Sequence, residues 1–177
     1  DGDNATFDDT ASARVVDVNG PIVANTMAVS TIQGYTFQGF GSVRAVGGLR
    51  KTGSGSVAVT VPLTVEGGIA IEDGQFAVGA GGFTGSFEGD LSLGGPDAQL
   101  ILDRADDFTN SGSISGVGSV VKRGFGTATV SGASSYAGAT TIEAGTLRIG
   151  GAFSGTGGVT VASGAGLTLD FAPTPET

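Results

Sequence analysis

The sequence predicts an all-β chain, a right-handed parallel β-helix (β-solenoid) of roughly seven to nine turns. Three observations predict it. Thirty-four of the 177 residues are glycine, about one in five against a usual one in fourteen. Short apolar runs of period two recur along the chain and end at glycine. Two separate blocks repeat at one constant offset. The five prolines and the missing Gly-X-Y period exclude collagen. The low charge and slightly positive mean hydropathy exclude an ordinary disordered chain. No apolar stripe of period 3.6 marks a helix.

Residues 1–46 fit the pattern least. An acidic opening from Asp1 to Asp9 leads to an Asn19-Gly20 pair before Pro21, a hairpin-like signal. The segment Tyr35–Val43 then runs into the first repeat. This region reads as opening turns and an N-terminal cap. Residues 47–117 read as the first repeat unit. Val57, Val59 and Val61 alternate with Ala58 and Thr60; Leu63 and Val65 flank Thr64; Phe76 and Val78 flank Ala77. Residues 118–177 read as the second unit with a short Pro-rich tail. Ala128 and Val130, Leu147 and Ile149, then Leu167, Leu169 and Phe171 alternate with Thr, Arg and Asp. Each run turns one face inward and one outward. The three regions form one continuous domain.

The repeat is the strongest signal of organisation. Leu49–Val59 aligns with Val120–Val130, and Ile71–Val78 aligns with Ile142–Ile149. Lys51 matches Lys122, Gly53 Gly124, Gly55 Gly126, Glu72 Glu143 and Gly74 Gly145, each pair 71 positions apart (51 to 122, 74 to 145). A turn of a β-helix cannot bury its inner face alone, whereas stacked turns share a core. Glycine supplies the corners between sides. With about 20–25 residues per turn the rod is on the order of 35–45 Å long.

The composition removes most chemistry. The chain contains no His, Cys or Trp. Usual ligands of zinc, copper, haem and iron–sulfur centres are therefore missing, as are Ser-His-Asp and Cys-His nucleophiles. Eight basic against seventeen acidic residues give a net charge of −9, which opposes nucleic acid and anionic lipid. No apolar run approaches a membrane-spanning segment. No cofactor, metal or catalytic residue is expected.

Several groups invite a chemical reading and are better explained structurally. Asp103, Asp106 and Asp107 beside Arg104 resemble a Ca²⁺ or acid–base cluster, yet they sit in one turn-like segment. Asp1, Asp3, Asn4, Asp8 and Asp9 lack the spacing of a Ca²⁺ loop. Gly79–Gly82 lacks the lysine and following helix of a phosphate cradle. Lys51 and Lys122, the only lysines, occupy matching repeat positions and read as structural, on the same side of the rod. Tyr35, Phe40, Phe83, Phe87, Phe125 and Tyr136 are candidates for stacking on sugars, with Phe125 and Tyr136 in glycine-flanked corners as the outward ones.

The block Gly118–Gly151 resembles the autotransporter-associated β-strand repeat (PATR-like) of bacterial surface and secreted proteins. Lys122, Gly124, Gly126, Thr127, Ser131, Gly132, Tyr136, Gly138, Thr140, Thr141, Ala144, Gly145, Thr146 and Leu147 carry the resemblance. Gly48–Val78 is similar as a degenerate second copy. The resemblance implies a β-helix outside the bacterial cell or on its surface, in a stalk, passenger or matrix, without catalytic residues. A fragment, a protein exported by another route and a free subunit all fit it.

The first functional expectation is an extracellular structural subunit that self-associates head-to-tail into a filament, stalk or matrix. Its contacts are expected at Ala5, Phe7, Val16, Val18, Leu167, Leu169 and Phe171, on the open edges of the first and last turns. The alternative is an adhesin-like passenger fragment that binds surface glycans or other surfaces. A β-helix polysaccharide lyase or hydrolase is the third reading.

Overall fold

The computed structural model describes residues 2–170. Among them the regular elements are strands, and their pairings are parallel. The chain visits three sides in fixed rotation. The first turn is β1 (Ala5–Asp8), β2 (Val15–Val18) and β3 (Pro21–Ala24). The second is β4 (Met27–Ser30), β5 (Gly34–Gly39) and β6 (Ser42–Ala45). The third is β7 (Leu49–Thr52), β8 (Ser56–Val59) and β9 (Pro62–Val65). The fourth is β10 (Ile69–Ile71), β11 (Gln75–Val78) and β12 (Ser86–Glu88). The fifth is β13 (Leu91–Leu93), β14 (Gln99–Asp103) and β15 (Phe108–Asn110), and the sixth β16 (Ile114–Gly116), β17 (Ser119–Arg123) and β18 (Thr127–Val130). On the last two turns single bridges at Ser134 and Phe153 hold the first side. They precede β19 (Thr140–Ile142) and β20 (Thr146–Ile149), then β21 (Val159–Val161) and β22 (Gly166–Leu169).

This is a β-solenoid of about eight turns, within the expected range. At ~4.8 Å per rung its first and last turns lie about 34 Å apart. The first side carries six strands and the second eight. The third side is two four-stranded sheets, which meet where β12 contacts β15. The Asn19-Gly20 pair is a corner between two sides and not a hairpin. β2 pairs with β5 and β3 with β6, each one turn on.

Alternation along each strand becomes stacking between strands. Met27, Leu49, Ile69, Leu91 and Ile114 lie in register on the first side. Tyr35, Val57, Phe76, Leu100 and Val120 do so on the second. All ten are buried. Such columns form the core, and burying each large apolar side chain contributes roughly 1.5–3 kcal/mol.

The 71-residue offset has a geometric meaning. Leu49–Val59 covers β7 and β8, on sides one and two, whereas Val120–Val130 covers β17 and β18, on sides two and three. The offset is therefore three turns plus one side. Lys51 and Lys122 do not share a side, contrary to the sequence expectation. Turns of slightly more than 21 residues do not divide 71 into whole turns.

Candidate functional site

The corner between sides two and three carries the exposed aromatic rings of the described residues. Phe40 follows β5 in the second turn, Phe83 follows β11 in the fourth, and Phe125 follows β17 in the sixth. They are 100%, 73% and 85% exposed. Their rungs alternate, so the corners that carry them stand about 10 Å apart along one edge. The corners between them carry Thr60 and Pro62 in the third turn and Arg104 in the fifth. These residues floor an open cleft of about 320 Å³ between Phe40 and Phe83.

Each ring stands on a tightly held corner. Phe40 lies between Gly39 and Gly41. Gly39 has φ +121°, and a Cβ at Gly41 would strike the backbone of Gly20 one turn below. Phe83 sits on the longer loop between β11 and β12. There Arg104 donates from Nη1 to Gly85 O at 2.7 Å and from Nη2 to Phe83 O at 3.0 Å. Asp106 neutralises the guanidinium, 2.8 Å from Nε and 2.7 Å from Nη2. Two backbone bonds, Gly81 N to Asp103 O and Ala105 N to Gly82 O, tie the same loop to the fifth turn.

Phe125 stands on a lysine clamp. Lys122 occupies an inward column between Leu102 and Ile142. Its ammonium reaches out of the column to the corner, donating to Arg123 O, Gly124 O at 2.8 Å and Ala144 O at 3.3 Å. Lys51 does the same between Val29 and Ile71, with Thr52 O, Gly53 O and Asp73 O at 2.8 Å. A Cβ at Gly74 would lie 2.7 Å from Lys51 Nζ, and one at Gly145 2.8 Å from Lys122 Nζ. The repeated lysine and glycines are thus one device: a buried cation solvated by corner carbonyls, with glycine in the next turn leaving it room. Burial lowers the pKa of both lysines. Asp73 opposes this at Lys51, and Asp103 and Asp107 oppose it at Lys122.

Ser54 takes the place in the Lys51 corner that Phe125 takes in the Lys122 corner. It too is exposed. The clamp therefore does not require an aromatic ring.

The remaining aromatic candidates face the core. Tyr35 and Phe87 are buried. So is Tyr136, which the sequence placed outward; its hydroxyl shares a 2.7 Å hydrogen bond with Thr140 Oγ1, and burial raises its pKa. It lies two residues past Ser134, which is itself buried in the bridge on the first side, so the period-two alternation carries its ring inward.

The acidic candidates that make side-chain hydrogen bonds do so both within a turn and between turns. Asp106 serves Arg104, and Asp107 accepts from Thr127 N at 2.7 Å. Asp9 accepts from Thr31 Oγ1 at 2.7 Å, Ile32 N at 2.9 Å and Arg14 Nη1 at 2.9 Å. The first two bonds, mainly that from Ile32, hold its carboxyl below the usual range. Among the described residues no group of three potential ligands gathers into a metal site.

The basic side chains are all engaged within the chain. Arg44 pairs with Glu66, Arg50 with Glu72, Arg123 with Glu143 and Arg148 with Asp170, each a turn on; Arg14 pairs with Asp9 and Arg104 with Asp106. The two lysines are clamped. Acidic groups thus make up the uncompensated surface charge.

The expected self-association residues fall at the two ends of the rod. Ala5, Phe7, Val16 and Leu167 pack partly buried against the core, and Val18 is fully buried. Leu169 is 40% exposed. Phe171 lies outside the described residues.

Comparison with known proteins accords with the repeat. The passenger-associated-transport-repeat model matches residues 120–149, so the resemblance read from Gly118–Gly151 is borne out. The chain is 42% identical over 80 residues to the adhesin BmaC autotransporter of Brucella suis biovar 1 (strain 1330). That alignment covers 44% of this chain and 2% of the relative. The chain thus corresponds to a small part of that protein's length. No solved structure matches. Both matches place the chain outside the bacterial cell or at its surface, and a repeat family of this kind is consistent with a non-catalytic role.

Proposed function

We propose that this chain is a stretch of an autotransporter passenger solenoid that works as an adhesin-like, surface-binding segment. The observation that carries the reading is the row of Phe40, Phe83 and Phe125 on one edge. A soluble chain gains nothing in its own fold from rings left in water, and exposed apolar rows mark interaction sites. The relative's name as an adhesin supports the reading. Beads coated with the chain are expected to settle on host-cell or matrix-coated surfaces more densely than beads coated with an unrelated acidic protein. Equal densities overturn it.

A second reading, head-to-tail stacking into a filament or stalk, rests on the last turn. Val159, Val161 and Leu169 are 40–43% exposed, and β21 and β22 each pair on one side only among the described residues. The next turn of the same polypeptide, or the first turn of another copy, would cover them. Contacts would then involve Ala5, Phe7, Val16 and Val18 against Leu167, Leu169 and Phe171. Sedimentation that grows with concentration, together with rods longer than one chain in negative stain, is the expected result. A single monomer mass at every concentration overturns it.

A further inference from the structure

We propose that Phe40, Phe83 and Phe125 form a binding track for a neutral, extended β-1,4-linked polysaccharide lying along the rod. The proposal rests on the surface-binding reading above and names its site and ligand class.

The spacing comes first. The three rings are separated by 43 and 42 positions (40 to 83, 83 to 125), two solenoid turns in each case. Parallel rungs convert that into corners about 10 Å apart, spanning roughly 20 Å in all, with Phe83 reaching out on the longer loop between β11 and β12. In a β-1,4 ribbon successive sugars face opposite ways, so every second sugar presents the same C–H-rich face. The disaccharide repeat of such a ribbon is close to two rungs. Three rings thus meet three like faces, and the ribbon runs parallel to the axis. The apolar face of a pyranose suits an aromatic ring, while its rim hydroxyls need polar partners. Thr60 and Ser86 line the cleft between the first two rings.

Charge selects among polysaccharides. The Arg and Lys side chains are committed within the chain. An anionic chain would meet an acidic surface without a free counter-charge, so a neutral one is preferred.

Rigidity and dispensability complete the case. The rings sit on corners fixed by Lys122, by Arg104 and by the close approach of Gly41 to Gly20. A preordered site loses little freedom on binding. Ser54, at the equivalent place in the Lys51 corner, shows that such a clamped corner accepts a small polar residue in place of the ring.

The test uses the whole chain, microcrystalline cellulose, cellohexaose and cellobiose as probes, and Phe40→Ser, Phe83→Ser, Phe125→Ser and the triple variant. Circular dichroism and urea midpoints first establish that the variants fold, as the Ser54 corner leads one to expect. The wild type is expected to bind cellohexaose at least ~10-fold more tightly than cellobiose, because only the longer chain reaches two or more rings. Each single variant is expected to lose about 3- to 10-fold in affinity for cellohexaose, and the triple variant to lose binding. Equal binding by the triple variant, no binding by the wild type, or preference for polygalacturonate over cellohexaose overturns the proposal. Coated beads that still adhere to cells when carrying the triple variant overturn this track alone and leave surface binding standing. Wild-type beads that fail to adhere, with cellohexaose bound as expected, overturn the broader reading and leave the track. A wild-type dimer that the triple variant abolishes assigns the rings to a second copy of the chain and overturns the proposal.

Discussion

Lys51 and Lys122 make the same set of contacts from different sides of the solenoid, each ammonium held by carbonyls of its own corner and of the corner one turn on. Neither has a carboxylate in direct contact, so backbone dipoles solvate the charge. Replacing Lys122 by Met keeps the apolar stem and leaves carbonyls without a donor. A loss of about 2–4 kcal/mol is expected, read from the urea midpoint. Lys122→Arg is expected not to restore it, because Gly145 leaves room for an ammonium and not for a planar guanidinium.

Burial of these lysines sets a pH signature. Both have folded pKa values below the usual 10.5. As pH rises through the window beneath 10.5, the unfolded chain holds more protons than the folded one. Stability therefore rises with pH there. Tyr136 acts oppositely: its folded pKa lies above 10.0, so the unfolded chain ionises first and stability falls once pH passes 10.0. Thermal melts of the wild type and Tyr136→Phe should separate the two, the variant losing the fall. A wild type and variant that decline equally would contradict the assignment.

At the acid end, Asp9 and Asp90 are both held below 3.8 by hydrogen bonds, mainly from the backbone N–H groups of Ile32 and Ser113. Their contribution is present above 3.8 and is lost as pH falls through the lower folded values. Asp90→Asn is expected to weaken the acid dependence while leaving melting near neutral pH within about 1 kcal/mol of wild type, since the amide oxygen still accepts.

Corner glycines divide into two kinds. A Cβ at Gly126 would collide with the backbone of Asp106 one turn below, whereas Gly20 and Gly158 have open space. Gly126→Ala should lower stability by about 1–3 kcal/mol, with Gly20→Ala and Gly158→Ala within about 0.5 kcal/mol of wild type. Denaturant midpoints of the three decide it.

Arg104 is expected to govern the Phe83 loop. Arg104→Met removes its bonds to Phe83 O and Gly85 O and leaves Asp106 unpaired. Hydrogen exchange at Gly81 and Ala105, whose amides bond across this loop, should quicken by about tenfold. Unchanged protection would mean that the backbone alone holds the loop.

The sequence made the solenoid readable because parallel stacking imposes the same demands on every turn: period-two strands, glycine corners and a repeated lysine. Its failures came where position around the rod mattered. An offset of 71 does not say which side a residue faces until the turn length is known, so the two lysines were placed on one side. Tyr136 looked exposed because of the small residues and glycine near it, but the period-two alternation from the buried Ser134 carries its ring inward. The aromatic row was also within reach, since its spacing of 43 and 42 is twice the length of a turn. Only the common corner, which depends on where each turn closes, was hidden. The ends were the least legible, because an inward residue such as Val18 belongs equally to a core and to an open edge.

A step of three turns and one side has a consequence for any chain that repeats it. The motif returns to its starting side only after three steps, about ten turns later. Successive copies therefore climb the shaft like the thread of a screw. Such a shaft has no back: rolled against a flat substrate, it always turns some copy toward it. In a longer shaft the buried cations would then be shared out among all three edges and not gathered along one.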